Sequence, residues 1–209
     1  MGLVYAMTQQ KRLGLVLGIN LVMIAGLVIV GLASHSLGVL AAGGDFAADS
    51  TAILLGIIAI QIAKHPHGHL KATTYVALIN ALVLLIVTAF VIFEGVHRLT
   101  SHAPHVEGLP VLIVSVVATI SMALGAFILG KDADKEDLHM RSVLLDTLSD
   151  GVASGAVAVS GGIIYFTGKF YWLDSALAIA IGIVIGYGAI KLLRDVVVAL
   201  RARTPIEIE

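Results

Sequence analysis

"HSLGVLAAGGDFAADS", residues 35–50, sits in an apolar run long enough to cross a bilayer, yet it places Asp45 and Asp49 one helical turn apart. A charged Asp at the centre of a spanning helix costs about 2.5 to 3.5 kcal/mol. The chain repeats the arrangement in "LLDTLSDG", residues 144–151, with Asp146 and Asp150. Four such residues together cost roughly 10 to 14 kcal/mol, comparable with the net stability of a whole domain. The i, i+4 spacing projects each pair from one helix face, with Cβ atoms about 5 to 6 Å apart. No Lys or Arg stands beside either pair within its apolar run. A divalent cation, protons, or both must then take the partner's role.

Outward from these stretches, the composition supports the same setting. Hydrophobic residues make up 58% of the chain and charged residues 13%, and the mean hydropathy is +1.01. Together with recurring apolar runs of about twenty residues, this describes an all-α integral membrane protein rather than a soluble core. Six spans are expected, at roughly 13–33, 36–63, 72–97, 109–130, 139–166 and 173–199, forming one transmembrane domain over residues 1–209. Eleven of the thirteen Lys and Arg residues fall on the side shared by both termini, and only Arg98 and Lys169 on the other. The positive-inside rule therefore puts both termini in the cytoplasm. Tyr165, Phe166, Phe170, Tyr171 and Trp172 supply an aromatic belt at the opposite interface. The absence of cysteine removes thiolate metal sites and cysteine nucleophiles, and a net charge of −1 points to no nucleic-acid partner. The start of the chain carries no cleavage signal, so no removable targeting peptide is expected.

With helix two running outward to inward and helix five inward to outward, the acidic faces can meet, Asp45 level with Asp150 and Asp49 level with Asp146. Four carboxylates would then surround one point. Four ionised carboxylates around a 2+ ion leave a net charge of −2, which favours protonation of part of the set when the metal leaves. Metal and protons then compete for the same oxygens, and a gradient of one can move the other. The plainer alternative makes these residues helix caps or hydrogen-bonded structural groups. A proton or cation channel lined by the same carboxylates, and a structural membrane protein, are the competing classes.

These residues also carry a family resemblance. The chain resembles the cation diffusion facilitators, six-helix, proton-coupled exporters of divalent metals. Ser36, Asp45 and Asp49 fall where the family's second helix carries Ser, His or Asp, and Asp; Asp146 and Asp150 match the pair of its fifth helix. "HPHGHLK" resembles the segment after the second helix, with His65, Gly68, His69 and Lys71 in place and His67 where an aromatic residue is usual. "WLDSALAIAIGI" and "RARTP" resemble the start and end of the sixth helix, with Asp174 and Pro205 at familiar positions. Ala42 stands where many members carry a further Asp. Members usually continue into a cytoplasmic metal-binding domain, whereas this chain stops at "RARTPIEIE", so no such domain is expected in it.

The resemblance implies a transporter rather than an enzyme, in a lipid bilayer and in a bacterial inner membrane, forming a homodimer, with H⁺ as counter-ion. The metal site it implies is Asp45, Asp49, Asp146 and Asp150. Four ligands from two helices suit tetrahedral Zn²⁺, with Cd²⁺ tolerated, while an all-oxygen set keeps Mn²⁺ or Fe²⁺ as the alternative. His65, His67 and His69 form a candidate second metal site. Glu94, His97, His102, His105 and Glu107 could receive released ions, although ordinary exposed side chains account for them. Asn20 and Asn80 are expected to be interhelical hydrogen-bond partners.

Overall fold

The computed structural model describes residues 9–62, 70–101, 103–130 and 138–202, with the side chains of several helical residues, Asp146 among them, left outside the description. These residues form six helices: α1 (Gln9–Ala33), α2 (Leu37–Ile62), α3 (Leu70–Thr100), α4 (Gly108–Gly130), α5 (Leu138–Thr167) and α6 (Trp172–Ala202). Four are long and apolar enough to cross a membrane, over Ala77–Thr100, Gly108–Phe127, Thr147–Thr167 and Trp172–Val198. α1 contributes a shorter apolar stretch, Leu17–Ala33.

Many large apolar side chains face outward. Val22, Ile86, Phe93 and Val152 are exposed, while Ser34, Ser36, Ser154, Asp174 and Ser175 are buried. In hydrocarbon an apolar side chain gains nothing by leaving the surface, so small and polar residues take the helix contacts. The most extensive pairings are α4 with α5, α3 with α6, and α1 with α2, whereas α5 and α6 scarcely touch.

Glycine sets how closely the paired backbones approach. A Cβ on Gly161 would lie 2.7 Å from the backbone nitrogen of Leu112, and one on Gly108 would collide with the backbone at Tyr165. Gly182 and Gly186 admit Ile92 and Thr88 of α3. Gly14 and Gly18 share the same spacing, but a Cβ at either would meet none of the described residues within 4 Å. Spacing alone therefore does not mark a contact.

The turn between α1 and α2 is fully accounted for in hydrogen bonds. His35 adopts a left-handed conformation (φ 56°). The Ser36 N–H donates to the Gly31 carbonyl, and the His35 N–H to that of Leu32. This closes α1 as a Schellman motif with histidine in the position usually held by glycine. Ser36 then opens α2, its hydroxyl oxygen accepting from the Val39 N–H at 3.1 Å, as an N-cap residue does.

Two amides at the start of α2 still need acceptors, and α6 supplies them. The Asp174 carboxylate accepts from the Leu37 N–H at 2.7 Å and the Gly38 N–H at 3.2 Å, and also from the Ser36 hydroxyl. α3 reaches the same turn through Arg98, whose Nη1 donates to the His35 carbonyl at 2.7 Å while its Nε pairs with Glu94 at 2.9 Å. The start of α4 joins through the Glu107 N–H, which donates to the Ser34 carbonyl at 3.2 Å. One polar knot thus ties α1, α2, α3, α4 and α6 at one end of the bundle.

Asp174→Ala removes acceptors from two buried amides, each orphaned donor costing roughly 1 to 3 kcal/mol. Thermal unfolding in detergent should show a much larger loss for Asp174→Ala than for Ser36→Ala, for which about 1 kcal/mol is expected. Equal melting of wild type and Asp174→Ala would remove the knot from the stability of the bundle.

Candidate cation site

α2, α3, α5 and α6 surround a cavity of about 890 Å³. Its walls are largely alanine and aliphatic residues, among them Ala48, Ala77, Ala153 and Ala156. Set into them are Asp45 and Asp49 from α2, Asn80 from α3, and Ser149 and Asp150 from α5. The volume lies in the range of small-molecule pockets, far above that of one bare ion, so it has room for hydrated cargo.

The knot at the start of α2 sets where its carboxylates stand. Asp49 lies twelve residues after Leu37 and thirteen before Ile62, at mid-helix. Where α2 crosses α5, a Cβ on Gly38 would lie 3.5 Å from Val157. Seven residues further along α2 is Asp45, and seven back along α5 is Asp150, each about 10.5 Å from that crossing at ~1.5 Å per residue. By backbone level, then, Asp45 stands opposite Asp150.

The carboxyl group of Asp150 nevertheless lies close enough to that of Asp49 for the two to interact. Helical side chains lean toward the N-terminus of their own helix. The N-termini of the antiparallel α2 and α5 lie at opposite ends, so Asp49 leans toward the knot and Asp150 leans away from it. The two meet on the diagonal. Asp150 is buried, whereas Asp45 and Asp49 are half-buried in the cavity wall.

Asp146 occupies α5 one turn before Asp150, and its side chain lies outside the described residues. His65, His67 and His69 also lie outside them, as do His102 and the acidic residues at 132–137. Among the described residues no group of three or more His, Cys, Asp or Glu side chains is close enough to hold a metal ion. The cluster expected near the aromatic belt is committed elsewhere in part: Glu94 pairs with Arg98, and the His105 ring packs on Tyr171 with centroids 4.9 Å apart. Asn20, expected as an interhelical hydrogen-bond partner, is buried but makes no hydrogen bond among the described residues. Asn80 instead lines the cavity, and Ser149, beside Asp150, lines it unforeseen. No periodicity marks either, since facing a cavity is a property of the assembled helices.

An all-helical bundle in which four helices are long and apolar enough to cross a membrane, with carboxyl groups lining a cavity between helices, has the build of a membrane transport protein. Residues 13–201 match the family described as the cation efflux transmembrane domain, and the chain belongs to this cation efflux, or cation diffusion facilitator, family. No curated protein matches the chain.

The cavity can be probed directly because the chain has no cysteine. A water-soluble thiol reagent should label Ala153→Cys, on the cavity wall, and spare Ala118→Cys, which is fully buried. Equal labelling of the two would mean that the cavity is not distinguished by access to water.

Proposed function

We propose that this protein is an antiporter that exports a divalent transition-metal ion in exchange for protons. Zn²⁺ is the first-ranked cargo and Cd²⁺ a tolerated one; Mn²⁺ or Fe²⁺ carried by the same mechanism is the alternative. In this reading all six helices span a bacterial inner membrane with both termini in the cytoplasm, and the protein works as a homodimer. Asp45, Asp49, Asp146 and Asp150 form the transport site, with His65, His67 and His69 as an accessory site on the cytoplasmic side.

The observation that carries this reading is the close approach of the Asp49 and Asp150 carboxyl groups, both of which line the cavity. Two carboxylates held close together repel each other, so the pair favours either a shared proton or a bound cation. A cation arriving at the same oxygens displaces that proton, and a returning proton weakens the hold on the cation. Binding of one and release of the other are thereby linked. Family membership supports divalent-cation transport. Alternating access follows as the mode of transport: the acidic cluster opens to the cytoplasm to load metal, and to the other side to release it and take protons. The sparse contact between α5 and α6 supports movement of the α4–α5 pair during that cycle.

Proteoliposomes loaded with a zinc-sensitive dye test the proposal. Saturable Zn²⁺ uptake should drive counterflow of protons, and Asp150→Ala should abolish both while the protein remains inserted and folded. Current without fixed stoichiometry would indicate a channel, and no flux of either ion a structural protein. Zinc transport retained in Asp150→Ala would remove α5 from the mechanism. With the loading side made more acidic, uptake should fall, because protons occupy the oxygens that the metal needs.

A further inference from the structure

We propose that Asn80 is a specificity-determining ligand of the transported cation, adding a neutral side-chain carbonyl oxygen from a third helix to the carboxylates of α2 and α5. The inference rests on the transport reading above.

The chemistry of the cavity wall singles this residue out. Ala77, Asn80 and Leu84 fall on one face of α3, spaced i, i+3 and i+7, and all three line the cavity. The amide between two apolar neighbours is half-buried and has no hydrogen-bond partner among the described residues. Half-buried on the cavity wall, the amide has its hydrogen-bonding capacity left for water or cargo in the cavity.

Its depth matches the acidic pair. A Cβ on Gly44 of α2 would lie 3.7 Å from Val87 of α3, which fixes the crossing of those helices. From that crossing, Asp49 is five residues along α2, or about 7.5 Å, and Asn80 is seven residues back along α3, or about 10.5 Å. Asn80 therefore stands within about one helical turn of Asp49 in depth, on another wall of the same cavity.

An amide oxygen contributes a hard donor without adding charge. Carboxylates alone leave the loaded site negative, and a further Asp would make it more so. A neutral oxygen raises the coordination number at constant charge, which favours Mn²⁺ and Fe²⁺, with their preference for additional oxygen ligands, over tetrahedral Zn²⁺. Asn80 thus weights the site toward the Mn²⁺ or Fe²⁺ alternative and against the first-ranked Zn²⁺.

Calorimetry with Mn²⁺ and with Zn²⁺ on the full chain in detergent tests this, with wild type, Asn80→Ala, Asn80→Asp and Asp49→Asn compared at matched thermal stability. Asn80→Ala should weaken Mn²⁺ binding about tenfold or more and Zn²⁺ binding distinctly less. Asn80→Asp, which keeps an oxygen at the position, should recover Mn²⁺ binding and release more protons per metal bound. Unchanged Mn²⁺ binding in Asn80→Ala overturns the proposal, as does an equal loss of both metals that Asn80→Asp fails to recover. If Asp49→Asn abolishes binding while Asn80→Ala leaves it intact, the role of Asn80 falls and the transport reading stands. A wild-type protein that binds neither metal sinks both.

Discussion

The start of α2 is held by a carboxylate from the far end of the chain, and the geometry of the cavity depends on it. A helix start buried away from water presents backbone N–H groups without solvent partners, each costing roughly 1 to 3 kcal/mol if left alone. Ser36 meets the Val39 amide; Asp174, buried to 1% exposure, meets those of Leu37 and Gly38. The negative charge is in turn placed where the α2 dipole is positive, with Arg98 close enough to act on the same group. This arrangement fixes the depth of α2 relative to α6, and with it the depth of Asp45 and Asp49.

The acidic site then follows from helix direction. Antiparallel helices lean their side chains in opposite senses, so residues offset along the axis can touch while residues at one level diverge. The Asp49–Asp150 contact is such a diagonal. Because α2 and α5 belong to different strongly packed pairs, the two carboxyl groups sit across one of the lightest seams of the bundle. A shift of α5 against α2 alters the distance between those oxygens directly. Cation affinity and bundle shape are coupled through that seam.

Much of the fold is legible in the chain because apolar runs broken by polar residues map closely onto helices in a lipid environment. The stretch at 109–130 emerges as Gly108–Gly130 and that at 139–166 as Leu138–Thr167. Other features resisted the same reading. Asp174 reads in the sequence only as a match to the start of the family's sixth helix, yet it caps α2, 138 positions from Ser36. Asn80 reads as a helix–helix partner and faces a cavity instead. Gly14/Gly18 and Gly182/Gly186 share one spacing, and among the described residues only the second pair receives a neighbouring helix.

By itself, then, the sequence determined the helical class, the positions of the helices and the presence of paired carboxylates in apolar surroundings. These depend on transfer free energies and on the 3.6-residue repeat, which act within a single segment. Tertiary structure alone decided which carboxyl groups touch, which helix start Asp174 satisfies and which α3 residue meets the cavity. Each of those depends on the relative depth and rotation of two helices, set by many weak contacts between residues distant in the chain.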